Sequence, residues 1–314
     1  ERNLLAIKDS VPGVMQIYDS CDECFLGKKR GEEYADVLHR VKSRMDTGLP
    51  RGMRYLIQCR TNDLYESLIV RLAKAGVWHL TIGVESPVER IRKTIVKPQD
   101  EELIRNVARW CSANGIVPYM LFIMFLPEIT VDELRVAAAN WRLYQSLGAM
   151  ISVEPFCMSY LGTDLHDSSD YLTEHVTYEI PHSGVPSKKL KWATLIWPRD
   201  PDVCAILQWF RDRVDGFVEE EKRRRGTRHA YKGITGTAGV SCLEHALVAW
   251  DAGEVPPWNP ARSGKRSAVY QDYGDQESGA ETMIRPNVTA WRFNSTHAKL
   301  DGSMNTGIQG WVKD

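Results

Sequence analysis

A chain of 314 residues, 43% hydrophobic and 26% charged, is long enough for a sizeable core and too ordinary in balance for wholesale disorder. Its 40 Lys and Arg against 41 Asp and Glu leave a net charge of -1, which gives no global drive toward nucleic acid or an anionic membrane. The longest apolar run, Ile116 to Pro127, is shorter than the roughly 20 residues of a spanning helix, and no secretory-signal pattern is visible at the start.

Val14 to Tyr18 reads as a buried strand ending at Asp19, and Glu32 to Met45 as a helix with Tyr34, Val37, Leu38 and Val41 on one face. Arg54 to Cys59 is the next strand. Leu64 to Ala75 predicts a helix stopped by Gly76, and Trp78 to Val84 a third strand. Asp100 to Asn114 is helical as far as Gly115. Val117 to Leu126 is almost wholly apolar, as in a strand buried on both faces. Thr130-Val131-Asp132-Glu133 offers a capping box for a helix reaching Leu147, and Ala149 to Glu154 is a fifth strand.

Repeated strand–helix units imply parallel strands with right-handed helical crossovers, hence a doubly wound sheet or a barrel. Polar residues fall where strands end, at Asp19, Arg60, Glu85 and Glu154, and in a barrel those ends face the active site. Five strands are too few for a full barrel of eight. The expected fold class is α/β, a partial parallel (β/α) barrel over residues 1–165. Residues 166–254 are expected to form a mostly helical substrate region. There Leu190 to Trp197 is strand or buried turn, Pro201 to Arg225 one long helix, and Ser241 to Ala252 a short one. The basic run Lys222 to Arg225 reads as a solvated helix end favoured by the dipole rather than a nucleic-acid contact. Residues 255–314, rich in Pro, Gly, Ser, Asn and charge, are expected to be a poorly ordered tail.

Seven scattered cysteines do not suggest a disulfide framework and fit a reducing, cytoplasmic setting. Cys21 and Cys24 form the sole close pair, without a second pair to complete a metal site. His166, His175 and His182 lie in one loop-like stretch at spacings unsuited to one helix face, so no metal ligand set is assigned. Neither GxSxG nor GxxxxGK occurs. At the strand ends, Gly83 would let a ligand approach the backbone, and Glu85 is either an acceptor for a hydroxyl or ammonium or a plain rim residue. Arg60 can clamp a carboxylate or close an ion pair with a neighbouring acid. Alternation along the strands places Glu85 with Thr81 and Gly83, which predicts that Arg60 and Glu85 share one cavity; the alternative is an Arg60–Glu85 ion pair that simply closes the strand ends.

From Met15 to Asp167 these phrases resemble the radical S-adenosylmethionine (SAM) enzymes, especially the subgroup often preceded by a cobalamin-binding domain. The resemblance rests on Ile17-Tyr18-Asp19-Ser20 with Phe25, Cys59-Arg60, Leu68 through Gly76, Gly83-Val84-Glu85-Ser86, Ile95-Val96-Lys97, and Tyr160-Leu161-Gly162-Thr163-Asp164-Leu165. It implies SAM as cofactor, with Asp19 near the methionine moiety, Arg60 near its carboxylate, and Glu85 with Ser86 near the ribose. It also implies a [4Fe–4S] cluster. The family's Cys-x-x-x-Cys-x-x-Cys is absent from these 314 residues, and its ligands are expected upstream of Glu1, in an N-terminal segment of the same polypeptide. A second departure is Ile123-Met124-Phe125-Leu126-Pro127, where the family often carries a glycine.

The expected function is therefore part of an enzyme that cleaves SAM reductively and modifies a small-molecule or peptide substrate by radical chemistry, with methyl transfer favoured if a cobalamin domain is present. Two alternatives stay open: a cluster-less, degenerate barrel acting as a binding module, and an unrelated α/β-barrel lyase. Against the lyase, no predicted strand ends in Lys.

Overall fold

A computed structural model describes residues 4–5, 14–19, 24, 27–44, 54–160, 173–182, 185–225, 231–259, 288–292 and 308–313. Strands β1 (Val14–Asp19), β2 (Arg54–Cys59), β3 (Val77–Glu85), β4 (Val117–Phe125) and β5 (Met150–Tyr160) lie side by side in sequence order, all parallel. Between them run helices α1 (Lys28–Arg44), α2 (Glu66–Ala75), α3 (Glu89–Thr94), α4 (Glu101–Ala113) and α5 (Val131–Ser146). This is the expected partial barrel of five parallel strands, and its local signals behave as read. Gly76 stops α2 in the left-handed region at φ 102°. Thr130 and Glu133 form the reciprocal capping box of α5, the Glu133 amide donating to Thr130 Oγ1 at 3.3 Å and the Thr130 amide to Glu133 Oε2 at 3.1 Å.

Strand alternation divides the sheet into two faces. Tyr55, Ile57 and Cys59 on β2, Leu80, Ile82 and Val84 on β3, and Met120, Phe122 and Met124 on β4 are buried in one core cluster with the helices. Phe122 stacks on Tyr144 of α5 at 5.8 Å and meets Trp141 edge-on at 5.9 Å. The opposite, concave face carries Gln58, His79, Thr81 and Tyr119, with the His79 and Tyr119 rings 5.2 Å apart.

Beyond β5 the structure departs from expectation. Strands β6 (Thr173–His182) and β7 (Val185–Ile196) form an antiparallel pair, and β7 joins β5 antiparallel, ending the parallel run. His175 and His182 thus lie on a strand, not in a loop; His166 lies outside the described residues. The alternation Val176, Tyr178, Ile180 was the available signal. The stretch 201–225 is two helices, α6 (Pro201–Arg211) and α7 (Val214–Arg225). Leu207, Phe210, Val214 and Val218 keep helical spacing across the break, so periodicity does not register it. Helix α8 (Tyr231–Asp251) begins well before Ser241. Its early glycines are not breakers: a Cβ on Gly236 would sit 1.8 Å from the Ile151 carbonyl oxygen, so the bare backbone is what lets α8 press onto β5. The packed region also runs past 254, for Val255 is buried and Trp258 stacks on Trp197 at 5.9 Å. Further along the expected tail, β9 (Ile308–Lys313) pairs antiparallel with β1 and with β8 (Val288–Arg292); residues 260–287 and 293–307 lie outside the described residues.

Gly236→Ala is expected to destabilise the fold by about 1–3 kcal/mol, the usual scale of overpacking, measured as a lowered midpoint in thermal or urea unfolding.

Candidate functional site

Asp19 ends β1, Arg60 follows β2 directly and Glu85 ends β3, so the three stand at the C-terminal ends of adjacent parallel strands. By register Asp19 lies level with Ile57 and Leu80, five residues before Glu85, so the two carboxylates are offset along the strands as well as across them, and Arg60 stands between.

Glu85 is the most specifically built of these positions. It is a non-glycine residue at φ 67°, and the register of β3 on β4 shifts between Gly83 and Glu85, a bulge that re-aims the terminal side chain. The carboxylate folds back over Gly83: a Cβ there would lie 3.0 Å from Glu85 Oε1 and 3.7 Å from Lys97 Nζ. The space that the glycine leaves is therefore taken by the Glu85 side chain rather than held open for a ligand at the backbone. Lys97 Nζ donates to Glu85 Oε1 at 2.5 Å, with both side chains partly exposed. Glu85 thus forms its described ion pair with Lys97, not with Arg60.

Ser86 is fully buried, and its Oγ accepts from the Val88 amide at 3.2 Å, so the hydroxyl caps the turn into α3. Arg60 is exposed and extended, at φ -89° and ψ 148°, and its carbonyl accepts from the Asp63 amide at 3.2 Å. Asp19 accepts a hydrogen bond from the Tyr34 hydroxyl of α1 at 2.8 Å, which holds its carboxylate toward the helix side. Burial, with the neighbouring Cys24 and Asp19, pushes the Tyr34 phenol well above its ordinary range, so it stays a donor. Glu154 is not a strand end. It sits opposite Ile123 in mid-strand, because β7 pairs with Cys157 to Tyr160 and prolongs β5.

The connection from Glu85 to Lys97 is organised from beneath. Arg92, fully buried on α3, donates from Nη1 to the Ser86 carbonyl at 2.9 Å, from Nε to the Gln99 carbonyl at 3.2 Å, and from Nη2 to Glu101 Oε2 at 3.1 Å. Gln99 Nε2 reaches the Gly83 carbonyl at 3.0 Å. Around the same rim, Arg90 donates to the Glu128 carbonyl at 2.7 Å and pairs with Glu133 at 2.6 Å; Arg199, after β7, pairs with the Glu128 carboxylate at 3.2 Å, and its amide reaches the Pro127 carbonyl at 2.9 Å.

The residues present do not fit an iron–sulfur cluster. Among the described residues no three His, Cys, Asp or Glu side chains converge as a metal site. Cys59, Cys111, Cys157, Cys204 and Cys242 are buried, and burial pushes the Cys157 thiol up to about 11 and those of Cys111, Cys204 and Cys242 up to about 12. Cys21 lies outside the described residues. The strand-end rim carries two carboxylates, Asp19 and Glu85, and two cations, Arg60 and Lys97, with Asp19 already bonded to Tyr34 and Glu85 to Lys97.

Residues 17–139 match the radical SAM superfamily, a span that contains Asp19, Arg60, Glu85, the end of β1 and all of β2, β3 and β4. Among solved structures, the fold of this chain is similar to TsrM, a radical SAM methyltransferase from Kitasatospora setae with tryptophan substrate and a SAM analogue bound; the TM-score is 0.52 at 12% identity, covering 80% of this chain and 54% of that one. It is also similar to OxsB, a cobalamin-dependent SAM radical enzyme, with TM-score 0.52 at 16% identity, covering 90% of this chain and 45% of that one. The chain thus spans about half the length of the structures it resembles. No curated protein matches the sequence. No helix among the described residues is long and apolar enough to cross a membrane.

Lys97 and Arg92 were not singled out from sequence as site residues. Lys97 sat in the phrase Ile95-Val96-Lys97, whose ion-pairing signal was an acid–base pair separated by a connection too irregular for periodicity to read. Arg92 lies on the short helix α3, which no sequence expectation covered.

Val96, beside Lys97, is 84% exposed at φ 57°. A β-branched residue is strained there and buries nothing. Val96→Gly is expected to raise stability by about 1 kcal/mol, read as a higher urea midpoint.

The hydrogen bond from Arg90 holds the Glu133 carboxyl below its ordinary value of 4.5. A depressed carboxylate pKa contributes stability above the unfolded value and loses it as pH falls through the folded one. Glu133→Gln should therefore cost about 1 kcal/mol near neutral pH, with the difference from the native protein shrinking steadily below about pH 4.5 in a pH series of unfolding curves.

Proposed function

We propose that this chain is the SAM-binding barrel of a radical SAM enzyme, with SAM held across the C-terminal ends of β1, β2 and β3. The observation that carries the reading is the Glu85 carboxylate, presented at a left-handed strand end over Gly83 inside a radical SAM domain. In this reading Glu85 accepts from the ribose hydroxyls, Ser86 shapes the turn that aims Glu85, Arg60 meets the methionine carboxylate, and Asp19, oriented by Tyr34, meets the methionine moiety. When bound in such enzymes, a [4Fe–4S] cluster supplies the electron for reductive cleavage of SAM. These 314 residues contain no Cys-x-x-x-Cys-x-x-Cys, so the ligands would come from outside them, and no step is assigned to the cluster here. The fold shared with TsrM and OxsB supports radical modification of a small molecule, with methyl transfer the favoured outcome and cobalamin a further cofactor of the complete enzyme.

Calorimetric titration of the cofactor-loaded enzyme with SAM tests the site. Glu85→Ala should weaken binding by about 1–3 kcal/mol, the scale of one lost partner in a partly buried polar contact, and Arg60→Ala should weaken it as well. Unchanged affinity in both variants would remove these strand ends from the site. The 314 residues alone should incorporate no stable four-iron cluster on anaerobic reconstitution, checked by iron and sulfide analysis; near-stoichiometric incorporation abolished by Cys21→Ala would overturn that expectation.

A further inference from the structure

We infer that Arg92 is a positioning residue that sets the Glu85–Lys97 pair from beneath, an inference that rests on reading Glu85 as a SAM contact.

Its two carbonyl partners are not arbitrary. Ser86 immediately follows Glu85, and Gln99 lies two residues after Lys97, so one guanidinium fastens both ends of the connection that carries the pair. The backbone of Arg92 adds to this, for its carbonyl accepts from the Lys97 amide at 2.9 Å. The third arm reaches Glu101 Oε2, while the other oxygen of that carboxylate accepts from the Tyr144 hydroxyl at 2.7 Å. Arg92 is therefore fixed to α4 and, through Glu101, to α5, both packed in the main core. Glu85 and Val96 keep left-handed backbone conformations that side chains disfavour, and such conformations persist where the surroundings over-determine them. A planar fork with donors in three directions supplies that constraint; a lysine, with a single ammonium centre, cannot reproduce it.

A role of this kind is separable from general stability. Arg92→Met takes one partner from a buried ion pair and the donor from two carbonyls, so it lowers stability as well, and the positioning role is told apart from that loss by local exchange at the turn and by coupling to Glu85. The test uses the complete, cofactor-loaded enzyme and SAM as the probe, with affinity from calorimetry, unfolding midpoint, and amide exchange at Ser86 and Lys97, whose amides are bonded to the Val84 and Arg92 carbonyls. Arg92→Met is expected to weaken SAM binding about tenfold and to speed exchange at both amides by more than the lowered unfolding midpoint accounts for. Adding Arg92→Met to Glu85→Ala should cause almost no further loss, because Arg92 acts on SAM only through Glu85. Where Arg92→Met does not fold, Arg92→Lys, which keeps the charge but not the fork, is measured in the same way.

Native affinity and exchange in the Arg92 variant, or losses that add fully with those of Glu85→Ala, would overturn the proposal. If the unchanged enzyme binds no SAM and Glu85→Ala alters nothing, the functional reading falls. The hold of Arg92 on the turn is then decided by exchange alone, and unaltered exchange ends it too.

Discussion

A guanidinium does not give up its proton at any pH a protein survives, so a fully buried arginine obliges its surroundings to supply acceptors in fixed directions. Arg92 imposes that obligation on the centre of this molecule. Its acceptors are two backbone carbonyls flanking the β3–α4 connection and one carboxylate on α4. The carboxylate in turn engages Tyr144 of α5, whose ring stacks on Phe122 of β4. A single buried charge thus links the rim of the half-barrel to its hydrophobic interior, and the geometry of the strand ends follows from the core rather than from solvent-facing loops.

Much of this was legible in the residues. Alternating apolar positions at Tyr55, Ile57 and Cys59 gave β2 its buried face, the Thr130–Glu133 spacing gave the start of α5, and Gly76 gave the end of α2, because each is a local signal. The strand-end placement of Asp19, Arg60 and Glu85 followed from the same reading. The partners of these residues did not follow. Glu85 meets Lys97, and Arg92 meets Ser86 and Gln99, through an irregular connection with no period to read. The start of α8 was hidden for a related reason: Gly236 counts against a helix by propensity and is needed in this one because β5 lies against it. Tertiary contact, not local preference, decides both cases.

The site also separates two uses of glycine. Gly76 is needed for its own dihedral angles, whereas Gly83 is needed for the space above it, where the Glu85 carboxylate lies. The residues that adopt unfavourable angles near the site are instead Glu85 and Val96, which bear side chains. Backbone strain therefore falls at the two ends of the segment that carries the Glu85–Lys97 pair.

Glu128 joins loops from three strands. Its carbonyl takes Arg90 from the segment after β3, its carboxylate takes Arg199 from the segment after β7, and Pro127 beside it takes the Arg199 amide. Such a rim behaves as a braced frame rather than as separate flaps. A guest seated on it would not have to freeze each loop in turn, so less of its contact energy would be spent on ordering the host, and a push on one segment would be felt by the other two.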